Sequence, residues 1–250
     1  MSRREFLVIS MHRQGHHGVL NWTAHQLGIK LLHHNNCGLN FDKGFKEKTY
    51  YKCEQGDKVT GLIYSWEAFD LACWPKMTEC HNRFEWVMIV IRDPFNFIAS
   101  ALKAPARPLD VPYKVRKSNE PWYPDCFGYT KSRLDMWKEY CEQVIGDTNF
   151  LRGERVIGVL FNSWVSDKSY RRHLAHQLGV DFTDKGINEV RRFAGGSSFD
   201  KLRLDGNAQR MQVNDRWRMM VNDQRWKSLV SYPGLAEWSE RLFGFNPLAE

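Results

Sequence analysis

A single α/β domain, its central parallel sheet flanked by helices, is the fold that the sequence predicts. Three observations lead there. Short apolar runs of strand length recur along the chain. Segments whose apolar residues follow the helical period lie between them. No internal repeat or composition break divides residues 1–250. Strands that alternate with helices call for a parallel sheet covered on both faces, where each strand is apolar on both sides.

The elements follow in order. Phe6 to Ser10 is a short β-branched and apolar run suited to a buried strand. After a polar loop over 11–18, Val19, Leu20, Ala24, Leu27 and Leu31 recur near the helical period. Residues 35–58, rich in charge and glycine, read as an irregular insertion. A strand over 59–64 ends at Ser65-Trp66-Glu67, and 68–73 is a short helical stretch. The clearest strand is Trp86 to Ile91, closed by Arg92-Asp93-Pro94. Pro94 suits a first helical turn, where its missing N–H costs no bond, and Phe97, Ile98, Ala101 and Leu102 line one face of the helix it opens. Five prolines make 104–125 a long loop. Helix resumes from Tyr129 to Val144, a strand runs 155–161, and a polar helix spans 164–178. Helical segments near 215–229 and 235–243 close the chain.

Composition narrows the function. Lys and Arg number 36 against 29 Asp and Glu, a net charge of +7 with a pI near 9.1. That excess favours an anionic ligand. Basic runs are lacking, with Lys114, Arg116 and Lys117 as the densest cluster, which argues against nucleic acid as the main partner. No apolar stretch reaches 18 residues, so no membrane span is expected. The charged start and the short run over 6–9 do not suit a signal peptide. Six irregularly spaced cysteines, with no CxxC pair, suit reduced thiols in a cytoplasmic protein. His33, His34 and Cys37, or Cys73, Cys80 and His81, are imaginable zinc ligands, but neither set has a second ligand pair at zinc-finger spacing; no metal is expected.

Two stretches carry chemistry. Ser10-Met11-His12-Arg13-Gln14-Gly15-His16-His17-Gly18 joins a strand end to a helix start, where backbone N–H groups favour an anion. Gly15 and Gly18 allow close backbone approach, and Arg13 adds charge. The loop lacks the Lys-Ser/Thr pair of a Walker A motif, which counts against ATP chemistry. Further on, Arg92 closes a buried strand and Ser100 follows eight residues later in the next helix. That places both at the carboxyl edge of the sheet, where α/β folds bind ligands, and an Arg fork with a hydroxyl makes a second phosphate site.

In this order the two motifs resemble the P-loop-type sulfotransferases, which move a sulfuryl group from 3′-phosphoadenosine 5′-phosphosulfate (PAPS) to an acceptor hydroxyl or amine. The resemblance covers most of the chain and implies a P-loop NTPase-like sulfotransferase fold. It implies that Arg13, Gln14, Gly15, His16, His17 and Gly18 grip the phosphosulfate, and that Arg92 and Ser100 hold the 3′-phosphate. Ser197, Ser198 and Phe199, after Gly195-Gly196, would wrap the nucleotide. Arg13 would stabilise the leaving oxygen. A general base stands near a strand end between the motifs in that family, which points to Glu67, with His16 in reserve.

The chain departs from the family pattern at Gln14, where a small residue is usual, and at His16-His17, where two hydroxyl residues are usual. Imidazole N–H groups also donate to anionic oxygens and gain strength when protonated, so binding is expected to become pH-sensitive below about 6.5. The stretches 35–58 and 104–125 are the expected acceptor-specific parts. Tyr113, Trp122 and Tyr123 with the nearby basic residues suit a glycan or an acidic peptide better than a small apolar phenol. A nucleotide kinase or hydrolase and a non-catalytic anion-binding module are the alternatives.

Overall fold

The computed structural model describes residues 4–28, 31–35, 48–51, 61–103, 109–112, 131–190 and 196–249. Six strands form one sheet: β1 (Arg4–Ser10), β2 (Leu31–Asn35), β3 (Lys48–Tyr51), β4 (Gly61–Glu67), β5 (Val87–Ile91) and β6 (Val156–Leu160). Their spatial order is β3-β2-β4-β1-β5-β6. Five are parallel, and β3 adds an antiparallel edge with Leu31 opposite Tyr51.

β1 lies at the centre because its side chains are apolar on both faces. Phe6 and Val8 enter one core, and Leu7 and Ile9 the other. β5 divides in the same way, with Met88 and Val90 on the first face and Val87, Ile89 and Ile91 on the second. The first core is covered by α1 (His16–Leu27), α4 (Phe161–Ser166) and α5 (Lys168–Gln177). The second is covered by α2 (Pro94–Leu102), α3 (Arg133–Ile145), α6 (Gln224–Val230) and α7 (Leu235–Phe243).

The site is positioned by this topology. From β1 the chain crosses through α1 to β2 on one side; from β5 it crosses through α2 and α3 to β6 on the other. Right-handed crossovers in opposite directions put α1 and α2 on opposite faces. The carboxyl ends of β1 and β5 therefore open a crevice at a topological switch point, the ligand position of open α/β sheets.

Several boundaries differ from those read in the sequence, and β3 forms inside the 35–58 stretch that reads as an irregular insertion. The first helix stops at Leu27, because Gly28 takes a left-handed conformation, and Leu31 opens β2 instead of closing the helix. Two histidines, His33 and His34, occupy buried strand positions and mask that strand's apolar pattern. β4 runs on to Glu67, paired with Ser10 of β1. The polar helix over 164–178 is two helices broken at Asp167, whose extended backbone and side chain cap α5. The segment near 215–229 is likewise a 3-10 turn over Arg216–Met220 followed by α6, which Asp223 caps. Most of 35–58 and 104–125, including Cys37 and the loop residues Tyr113, Lys114, Arg116, Lys117, Trp122 and Tyr123, lies outside the described residues.

Candidate anion-binding and active site

The loop between β1 and α1 is built to face an anion. Arg13 and Gly15 both have positive φ, 71° and 87°. Residues of this kind turn nearby backbone N–H groups toward one concavity. For the arginine that conformation costs about 1–2 kcal/mol, so it is held by its surroundings. Gly15 precedes α1 with no side-chain cap, so no capping side chain takes up the N–H groups at the helix N-terminus. Gln14 is wholly buried beneath the loop, where its Oε1 accepts from the Met11 N–H at 3.3 Å. That brace explains a glutamine where a small residue was expected, and it keeps Gln14 out of the cavity wall. Gly15 has no substitute: a Cβ there would sit 2.3 Å from the Phe161 ring, with the backbone already at positive φ.

Phe161, the first residue of α4, joins the two motifs. Its ring lies under Gly15, and the Arg92 guanidinium sits 5.3 Å from its centroid on another side. Arg92 is 1% exposed. It donates through Nη1 to Ser100 Oγ at 2.9 Å and through Nη2 to the Val213 carbonyl. Its Nε is buried with no partner. A second buried arginine, Arg216, reaches the same hydroxyl at 3.4 Å and donates through Nη2 to Ser197 Oγ at 2.7 Å and Asp200 at 3.1 Å. Burial first, and the charge of Arg216 next, pull the Arg92 pKa down to about 9, with Asp93 opposing. Two guanidinium groups thus share one serine in a poorly hydrated place, an arrangement that an anion between them relieves.

Asp93 sets this geometry without pairing to Arg92 through its oxygens. It accepts from the Asn96 N–H at 2.9 Å, from the Asn96 side chain and from Asn162 Nδ2 at 2.7 Å. Asn96 in turn donates to the Asn214 carbonyl at 2.8 Å and accepts from the Trp217 N–H at 3.0 Å. This buried network ties the 213–217 segment, and with it Arg216, to the end of β5.

Opposite stands a cluster of imidazoles around one carboxylate. Glu67, at the end of β4, lies 3.1 Å from His12 Nε2 and 3.6 Å from His16 Nε2. Burial by itself would raise the Glu67 carboxyl, but His12, by charge and hydrogen bond, then His16 and His17 outweigh it and hold it well below the usual carboxylate range. His16 is 1% exposed, with neither ring nitrogen hydrogen-bonded. The His17 ring lies 4.1 Å from it, centroid to centroid, tilted by 40°. Burial above all pushes both imidazoles down, His17 the further. The charge gain expected below about 6.5 therefore moves to lower pH.

A stability profile follows with a definite sign. Below an unfolded pKa of about 6.5 the unfolded chain binds protons that folded His16 and His17 refuse, so stability falls as pH drops. The slope approaches about 1.4 kcal/mol per pH unit for each histidine. Urea unfolding between pH 7.5 and 5.5 is expected to record this loss; a flat profile over that window would mean that both imidazoles protonate freely in the folded protein.

These groups meet in one cavity of ≈ 260 Å³. Of the residues singled out in the sequence, Arg13, Gly15, His16, His17, Gly18, Glu67, Arg92, Ser197 and Ser198 line it. Ser100 lies behind the wall as the hydroxyl shared by the two arginines. Phe199 also stands back, its ring 4.9 Å below the Arg216 guanidinium. His12, Phe161, Trp164 and Arg216 are wall residues that the sequence reading did not place in the site. His12 gave a signal, as a member of the loop quoted above.

Among the described residues, His16, His17 and Glu67 form the one metal-type group, with a ligand atom from each inside 4.8 Å. Ligands on a tetrahedral ion with bonds of ~2.1 Å stand about 3.4 Å apart, so this group would have to draw together. As it stands its members interact through charge, and the hydrogen bond to Glu67 comes from His12. Cys73, Cys80 and His81 do not converge; the His81 Nε2 lies 3.1 Å from the Trp74 carbonyl instead. No helix among the described residues is long and apolar enough to cross a membrane. No protein-family model matches the chain, and no curated protein matches it either.

Proposed function

We propose that the protein is a PAPS-dependent sulfotransferase with the corresponding P-loop-like fold, acting on a hydroxyl of a carbohydrate or of an acidic protein or peptide. The observation that carries this reading is the pair of buried arginines, Arg92 and Arg216, meeting at Ser100 and lining the same cavity as Arg13 and Gly15, with the Phe161 ring between Gly15 and Arg92. Two separate anion positions in one crevice suit a nucleotide with phosphates at both its 3′ and 5′ positions. A single phosphate chain needs one.

The donor supplies an activated sulfuryl group on its 5′-phosphate. In the reaction the acceptor oxygen bonds to sulfur, the sulfur–oxygen bond to the phosphate breaks, and the acceptor proton leaves. Arg92, Ser100 and Arg216 hold the 3′-phosphate and so fix the register of the donor. Arg13 and the loop N–H groups meet the charge that builds on the bridging oxygen. The proton passes to an imidazole facing Glu67. His12 is the more open to the cavity, and the Glu67 carboxylate stabilises the imidazolium that forms. Glu67 itself, held far below the usual range, is a weak proton acceptor and acts through the histidine. The proposal involves no metal, no nucleic-acid partner and no membrane span, and the irregular cysteine spacing favours the cytoplasm.

Calorimetric titration at one fixed salt concentration tests the reading. Adenosine 3′,5′-bisphosphate, the desulfated product, is expected to bind at least tenfold more tightly than ATP with magnesium. Preference for ATP with magnesium would turn the assignment to a kinase or hydrolase. Binding of polyanions with a steep salt slope and no preference for a 3′-phosphate would leave an anion-binding module.

A further inference from the structure

Besides Glu67, which its histidines surround, a second carboxylate faces this cavity. Glu189 lines the same space as Arg13, Arg92 and Arg216, yet a carboxylate repels phosphate. It is firmly placed. The buried Asn21 on α1 donates to its Oε2 at 2.8 Å, and His25 Nε2, one turn further on, lies 3.2 Å from its Oε1. The turn before it is packed against the same helix. A Cβ on Gly186 would sit 2.4 Å from the His25 ring, and Asn21 also donates to the Gly186 carbonyl at 3.4 Å.

With a rise of ~1.5 Å per residue, Asn21 and His25 set the carboxylate roughly 5–10 Å along α1 from Gly18, beyond the anion-facing loop. The wall there is apolar. Trp164 closes against Gly18, where a Cβ would lie 3.4 Å from the indole, and Val165, Ile187 and Val190 continue the surface. An aromatic heterocycle packs well on an apolar surface of this kind, and a carboxylate at its edge accepts hydrogen bonds and donates none.

We propose that Glu189 is the base-reading residue of the nucleotide site, accepting a hydrogen bond from an exocyclic amine and thereby selecting a 6-amino purine over a 6-oxo purine. The inference rests on the nucleotide-donor reading above and adds to it the specificity element. A 6-oxo base would set a carbonyl against the carboxylate, two acceptors with no proton between them. Sites that match a ligand's donor reject the analogue lacking it strongly, because a polar group is left unpaired.

The test compares adenosine and inosine 3′,5′-bisphosphates, which differ at position 6 by an amine against a carbonyl, on the full chain. The wild type is expected to favour the adenosine compound by at least ~10-fold. Glu189→Gln offers a donor as well as an acceptor, so the ratio is expected to fall to near one or to invert. The side chain is 44% exposed and Gln keeps an acceptor for Asn21, so this variant is expected to fold. Glu189→Ala should weaken the adenosine compound and remove the discrimination. Arg92→Ala should weaken both compounds by the same factor and keep their ratio. Equal wild-type affinities, or a ratio that Glu189→Gln leaves unchanged, would overturn the assignment while the donor reading stands. Failure of both compounds to bind the wild type would overturn the donor reading, and this inference with it.

Discussion

Arg92→Ala is expected to weaken binding of adenosine 3′,5′-bisphosphate by at least ~100-fold. The guanidinium is buried, its Nε has no partner, and the residue lines the cavity. Removing one side of a buried charge pair costs about 2–5 kcal/mol, and each 1.4 kcal/mol is tenfold in affinity. Arg92→Lys should recover little, since an ammonium cannot span Ser100 and a phosphate with a planar fork. Folding should survive. The change gives up the bonds to Ser100 and Val213, but it also removes a charge that stands against Arg216. Calorimetry of both variants, with urea unfolding alongside, separates the effects. Binding within about threefold of wild type would take the 3′-phosphate away from this arginine pair.

Glu67→Gln is expected to lower turnover by about 100-fold or more, the usual range for losing general acid–base assistance, while bisphosphate affinity stays within about threefold. The amide keeps the shape and one acceptor for His12, but not the negative charge that an imidazolium needs. Radiosulfate transfer from labelled PAPS to a panel of sugar, peptide and phenol acceptors reads the first quantity, and calorimetry the second. Unchanged turnover would remove the Glu67 cluster from proton transfer. A joint loss of turnover and affinity would move Glu67 into the grip on the donor.

Much of this site was legible along the chain because its parts are local. A strand end, two glycines and an arginine within nine residues mark an anion-facing turn, and the spacing from Arg92 to Ser100 is one strand-to-helix step. β1 and β5 declared themselves by apolar runs, since strands buried on both faces carry no polar alternation, and β6 is apolar throughout although its residues alternate between buried and half-buried. β2 did not. Its centre holds His33, whose Nε2 pairs with Ser65 at 2.8 Å, and such a pairing reads as polarity in one dimension.

The sequence by itself determined the α/β class, the glycine-bearing loop between the first strand and helix, the Arg92–Ser100 pair and the placing of Glu67 near a strand end. Only the tertiary structure decided that Arg216, 116 residues from Ser100, shares its hydroxyl, that Phe161 wedges between the two motifs, and that His12 and Glu189 face the same cavity. The reason is physical. Local backbone preferences and periodicity act over one or two turns, whereas these contacts are made by a sheet order that brings the ends of distant strands together and by a buried Asp93–Asn96 network that holds a remote segment against them.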